Sequence, residues 1–164
     1  MRMGNSKYKT TNVLLSSVKE PVDPMMVSKI IYCTTCVQCQ HKYIGMSKNS
    51  LKTRLGGHKA LVNLHTRLLD EGFTHTDTKI ADLREKTALM QHVIDNNHAF
   101  DFESTKIIDR SYTSSSLPML EMCHISSNTN TVNHRTDVRG LSNAYTGVIS
   151  SLNTAKSVKA HQSG

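Results

Sequence analysis

Apolar positions along the chain change period from stretch to stretch, and the period predicts the element. Met26, Val27, Ile30, Ile31 and Tyr32 form a β-prone run over residues 25–33, and Lys42-Tyr43-Ile44-Gly45 resumes extended structure after a cluster of cysteines. Two antiparallel strands joined by a cysteine-bearing knuckle are expected. Next, Leu51, Leu55, Leu61, Val62, Leu64 and Leu68 recur at roughly helical spacing behind Asn49-Ser50, a pair suited to capping a helix that starts at Leu51. Gly56-Gly57 lies inside that helix. Each glycine costs about 1 kcal/mol relative to alanine, so either tertiary packing holds the segment or the glycines admit the close approach of another group.

Residues 71–78 read as a loop, and Ile80, Leu83, Ala88, Leu89, His92 and Val93 give one inner face to a second helix over 79–96, ended by Asn96-Asn97. Phe100, Phe102 and Lys106-Ile107-Ile108 form a third extended segment. After polar residues 111–116 a third helix opens near Pro118, a residue favoured in the first helical turn, and carries Leu120, Glu121, Cys123, His124 and Ile125. Beyond Ser126 the chain is rich in Asn, Ser and Thr, with one weakly apolar segment, 141–152, as a candidate terminal helix. The prolines at 21 and 24 close a polar lead-in. The expected organisation is a lead-in over 1–24, one domain over 25–150 and a disordered tail over 151–164.

Length agrees with one domain: 164 residues, 37% hydrophobic, bury one core. No apolar stretch approaches the eighteen or so residues that span a bilayer, and the first ten residues are basic and polar with no apolar run behind them, so no membrane partner and no secretion are expected. Formal net charge is +7 and the isoelectric point about 9.3, which favours encounter with a polyanion. With no Trp and 5% aromatic residues, nucleic acid is a better expectation than a membrane surface.

Cys33, Cys36 and Cys39 fall within seven residues, while Cys123 stands alone. Such spacing suits reduced thiols on a metal rather than a disulfide framework. Cys36-x2-Cys39 with His92-x5-His98 supplies two thiolates and two imidazoles for tetrahedral zinc, the histidine gap being slightly longer than the usual three to five residues. Cys33 either replaces a histidine as ligand or packs as a small apolar residue. Four protein ligands leave no place for a reactive water, so the zinc is expected to serve folding and DNA positioning.

Tyr32, the run Tyr43-Ile44-Gly45, and then Leu51, Arg54 and His58 resemble the GIY-YIG nuclease family, in which two short motifs on adjacent strands each contribute a tyrosine and the following helix an arginine. The second motif is intact; Ile30-Ile31-Tyr32 stands where the first has a glycine, an apolar residue and a tyrosine. Arg54 and His58 are four apart, so on a helix they share a face from which both could reach a phosphate. The Cys-Cys-His-His set inside such a domain is similar to the nuclease of Penelope-like retroelements. That resemblance runs from about Ile30 to Tyr145, through Thr87-Ala88-Leu89, Lys106-Ile107-Ile108-Asp109 and Leu141-Ser142-Asn143-Ala144-Tyr145. The stretch between His58 and Thr87 is longer than the family leads one to expect, which suggests an elaborated substrate-facing loop.

The resemblance implies an α+β fold, a small three-stranded antiparallel sheet flanked by helices with the zinc knuckle between its first two strands. It implies a phosphodiester hydrolase in which Glu121 is the one protein ligand of a catalytic Mg²⁺ or Mn²⁺, Arg54 supports charge developing on the phosphate, and Tyr32 or Tyr43 orients or deprotonates the water. An asparagine downstream is Asn133, with Asn128 and Asn130 as rivals. Lys42, Lys48, Lys52 and Lys59 are the expected phosphate contacts. The implied partners are DNA and a reverse transcriptase domain within a longer parent polyprotein, with a nuclear or cytoplasmic setting. The alternative is a catalytically inactive, zinc-stabilised nucleic-acid-binding module that keeps the basic surface; a zinc-dependent interaction domain without nucleic acid leaves Tyr43, Arg54 and Glu121 unexplained.

Overall fold

Residues 22–134 are described by the computed structural model; most of the lead-in, the segment 141–152 with Tyr145, and the tail 151–164 lie outside the described residues. Strands β1 (Ile30–Cys36), β2 (Lys42–Ser47) and β3 (Phe100–Arg110) pair antiparallel in the order β2-β1-β3. Helices α1 (Leu51–Asp70), α2 (Thr78–Arg84), α3 (Ala88–Asn96) and α4 (Leu117–Ser126) flank them. This is the small α+β architecture, a three-stranded antiparallel sheet flanked by helices, that the family resemblance implied.

Side chains alternate across a strand, so the central strand β1 feeds two cores. Ile30, Tyr32 and Cys36, with Tyr43 of β2, pack against Leu51 and Leu55 of α1, Leu83 of α2, and Leu89 and Val93 of α3. Ile31 and Cys33, with Ile44 and Met46, face Leu117, Leu120 and Ile125 of α4. β1 is therefore apolar on both faces, which is why its sequence reads as a continuous run.

Several boundaries differ from the sequence expectation. Extended structure starts at Ile30 rather than Met25, because Asp23 accepts a hydrogen bond from the Met25 amide (2.9 Å) and Pro24 opens a single 3₁₀ turn over Pro24–Met26. At its other end β1 runs through Cys33 to Cys36, held on both sides by ladder pairs such as Cys33↔Ile44 and Cys36↔Phe100. The single helix expected over 79–96 is two helices. Lys86 closes α2 with a tight bond from its amide to the Leu83 carbonyl (3.3 Å), and the Thr87 hydroxyl accepts from the Met90 amide (3.1 Å), starting α3 afresh. Arg84 grips Asp95 with two bonds (2.6 and 2.8 Å), fixing α2 against α3. Asn97, in the left-handed region at φ 53°, ends α3.

The stretch between His58 and Thr87 is mostly helix rather than a long loop, since α1 continues to Asp70 and α2 begins at Thr78. Ser50 caps α1, accepting from the Thr53 amide at 3.3 Å. Its fully buried stripe is Leu51, Leu55, His58, His65 and Leu68, with Leu61, Val62 and Leu64 only partly buried. Two histidines thus occupy core positions on the apolar face. Gly56 and Gly57 are exposed, and an added Cβ at either would meet nothing within 4 Å; packing of the stripe, and no close approach at the glycines, holds this helix.

Candidate active site and metal centre

The end of β1 and the β1–β2 connection present Cys36 and Cys39; α3 presents His92 and the turn beyond it His98. Their ligand atoms all lie within 4.8 Å of one another. Cys36 Sγ is 3.5 Å from His98 Nδ1, Cys39 Sγ 3.5 Å from His92 Nε2, and the two nitrogens are 3.2 Å apart. Around one tetrahedral zinc, with Zn–S near 2.3 Å and Zn–N near 2.05 Å, ligand atoms sit about 3.3–3.8 Å apart. These four residues can therefore hold a metal ion such as zinc. The six-residue step from His92 to His98 spans the helix end, and the left-handed Asn97 turns the chain back so that both imidazoles meet the thiols. Cys33 lies on the α4 face of β1 with Ile31, opposite Cys36, and so packs rather than ligates. His41 Nδ1 stands 3.4 Å from Cys39 Sγ, beside the cluster.

Tyr32 and Gly45 face each other across β1 and β2. A Cβ on Gly45 would lie 2.5 Å from Tyr32 Oη and 2.9 Å from the Tyr43 ring, so glycine here makes room for the tyrosine opposite. Arg54 Nε donates to Tyr32 Oη (3.1 Å), and Tyr32 Oη lies 2.7 Å from His58 Nε2. Burial, assisted by Arg54, lowers the His58 pKa to about 4, so the ring is neutral at pH 7 and Nε2 accepts the Tyr32 proton. Burial, reinforced by Tyr43 and opposed by Arg54, pushes the Tyr32 phenol far above its usual value. Burial raises Tyr43 too, with Arg54 pulling the other way. His58 stacks on Phe102 and is 2% exposed. The expectation that His58 reaches a phosphate is corrected accordingly: it shares a face with Arg54, but that face is the core.

On the outer edge of β2, side chains stand in for a fourth strand. Asn133 accepts from the Ile44 amide (3.0 Å) and donates to the Ile44 carbonyl (2.8 Å), and Glu121 Oε1 accepts from the Met46 amide (2.9 Å). A short parallel bridge continues the pattern, Lys42 bonding the Asn130 carbonyl and Val132 bonding Lys42. Asn128 is tied to the His124 carbonyl at the end of α4, so of the three asparagines Asn133 alone reaches the site. The Asp109–His124 pair (2.9 Å) fastens α4, which carries Glu121, to β3.

Tyr43, Arg54, Glu121 and Asn133 line one cleft of about 430 Å³. Tyr32 and His58 stand behind it, fully buried. Of the expected phosphate contacts, Lys48 lines an adjoining hollow with Arg54 and Glu121. Lys59 is paired with Glu103 of β3 (2.5 Å), Lys42 sits near Cys33 on the α4 side, Lys52 is exposed on α1, and none of these three lines the cleft. Sequence reasoning missed the wall formed by the α2–α3 joint, Glu85 to Ala88, and by His134. The polar run Arg84-Glu85-Lys86-Thr87 inside an apolar-periodic stretch was the available signal.

No match to this chain is found among protein-family models, curated proteins or solved structures. No helix among the described residues is long and apolar enough to cross a membrane.

Proposed function

We propose that the chain is a metal-dependent DNA endonuclease of the GIY-YIG type, with zinc in the Cys36-Cys39-His92-His98 cluster and Mg²⁺ or Mn²⁺ at Glu121. The observation that carries this reading is the convergence of Tyr43, Arg54, Glu121 and Asn133, drawn from β2, α1, α4 and the segment after it, on one polar cleft. Glu121, set in the cleft beside Arg54 while Glu85 in the α2–α3 wall is held by Arg84, suits a hydrated divalent ion completed by substrate phosphate. Bound there, the ion would supply Lewis acidity to the scissile phosphate.

Arg54 holds a non-bridging oxygen and stabilises the charge that grows on it. Tyr43 meets the attacking water, since it lines the cleft whereas Tyr32 is 0% exposed. Neither phenol is ionised at neutral pH, so the water proton moves inward: Tyr43 takes it while releasing its own towards Tyr32, whose ring stands beside it with centroids 6.2 Å apart, and Tyr32 gives its proton to His58 Nε2. A phosphodiester bound at Arg54 screens that cation and raises the basicity of His58. The Penelope-like setting, with a reverse transcriptase in a parent polyprotein, belongs to the same reading.

A supercoiled plasmid incubated with Mg²⁺ or Mn²⁺ should relax with the wild type and stay intact with Glu121→Gln. Glutamine keeps an oxygen for the Met46 amide, so edge and fold persist while the charge is lost. Absence of nicking by the wild type with either metal overturns the enzyme reading. One observation favours the binding module as second reading: Glu121 and Asn133 both cap β2, a structural duty that would retain them without catalysis.

A further inference from the structure

The cleft does not end at its own walls. It shares Arg54 and Glu121 with the hollow that holds Lys48, and it shares Ala88 and His134 with a third depression of about 280 Å³ beside His41 and His92. Three adjoining, mainly polar hollows thus run from the end of β2, past Glu121 and the α2–α3 joint, towards the metal cluster. Their cations come from separate elements and line the first hollow and the cleft: Lys48 after β2, Arg54 from α1, Lys86 from the joint; the third depression carries His41, His92 and His134 instead. The acids at the joint are already matched, because Arg84 binds Asp95 through two bonds and reaches Glu85 at 3.3 Å. Lys86 is exposed and forms no ion pair among the described residues. An isolated small anion would need one focus of donors. Cations spaced along a trough suit a chain of phosphates.

We propose that this trough takes one DNA strand and that Lys86, set in the cleft wall by the break between α2 and α3, is a phosphate-positioning residue for it. The proposal rests on the endonuclease reading for the place of cleavage, beside Glu121, but the strand path stands on the trough itself. Thr87 fixes Lys86 there by starting α3, and the Arg84–Asp95 clamp keeps the joint closed against α3.

The test uses the Glu121→Gln protein, which holds DNA without cutting it, and a labelled oligodeoxythymidine titrated at several salt concentrations. Adding Lys86→Ala should weaken binding several-fold at low salt and reduce the slope of log affinity against log salt by about 0.7, one phosphate contact on a single strand. Lys86→Arg should retain the slope, and Lys106→Ala, on exposed β3, should leave both quantities unchanged. In the Glu121 protein, Lys86→Ala should raise KM for nicking more than it lowers kcat. An unchanged salt slope in Lys86→Ala overturns the proposal, as does an equal loss from Lys106→Ala. Loss of the slope in a wild type that never nicks would retain the trough and overturn the enzyme reading instead.

Discussion

The metal cluster and the cleft are built from similar numbers of side chains on shared elements, yet they are completed in opposite ways. At the cluster, four donor atoms converge on a point, with thiols and imidazoles left facing one another at 3.2–3.5 Å. At the cleft each group is engaged by the protein itself: Arg54 on Tyr32, Tyr32 on His58, Asn133 on both polar groups of Ile44, Glu121 on Met46. The first arrangement is one that an ion can finish, and the second is finished by the fold. The cluster should therefore govern whether the chain folds, and the cleft should tolerate isosteric changes that affect chemistry alone.

The largest effect should come from the cluster. Stripping metal with a strong chelator, or Cys39→Ser, should cost more than about 5 kcal/mol of stability and unfold much of the population, whereas Cys33→Ser should retain the metal. Metal analysis with thermal melts checks both; a well-folded, metal-free protein would erase the contrast between the two regions.

Next, Glu121→Gln should lower nicking by about 10³-fold, equivalent to about 4 kcal/mol, while the melting temperature stays within a few degrees and DNA affinity within a few-fold. A large drop in melting temperature would show the cleft to be as fold-determining as the cluster.

Third in size is a pH effect seated at His58. Its pKa is about 6.5 unfolded and about 4 folded, so the unfolded chain binds the proton more readily. This contribution to stability is full above pH 6.5 and is lost as pH falls towards and through 4, a loss of about 3 kcal/mol in all. Denaturant melts across the window, with the metal content followed in parallel, should show the slope shrink in His58→Phe, which keeps the Phe102 contact and removes the titration. An equal slope in that variant would place the acid sensitivity elsewhere.

The smallest effect tests the helix between the two regions. Gly56→Ala should stabilise by about 0.5–1 kcal/mol without altering nicking, because its Cβ would point into open space. Destabilisation would mean that substrate or another chain approaches there.

The candidate metal ligands were legible from two cysteines three apart and two histidines bracketing a helix end at Asn97, with Cys33 left as a rival until the strand faces separated it from Cys36. The strands and α1 were legible from period and from Ser50. Two features were not. The α2–α3 break falls between Leu83 and Ala88, five residues on, a step that leaves the face of one continuous helix; reading a single inner face across that slip hid the break, which Thr87 caps. The burial of His58 was hidden because histidine reads as a polar residue. Its spacing from Leu51 and Leu55, seven and three residues, already put it on their stripe. Catalytic placement of Glu121 came from resemblance only, since one glutamate on a short, mainly apolar helix carries no spacing with which to test it.

One consequence of the side chains along β2 concerns solubility. An open strand edge is a template for pairing with other copies, and natural sheets blunt such edges with charge, bulges or cover. Here the Ile44 peptide is occupied on both its polar sides by one carboxamide, and the next available amide, at Met46, points into a carboxylate. An incoming strand would have to displace Asn133 and then place a carbonyl against negative charge. The residues proposed to cut DNA would thereby also keep this edge from growing into an aggregate.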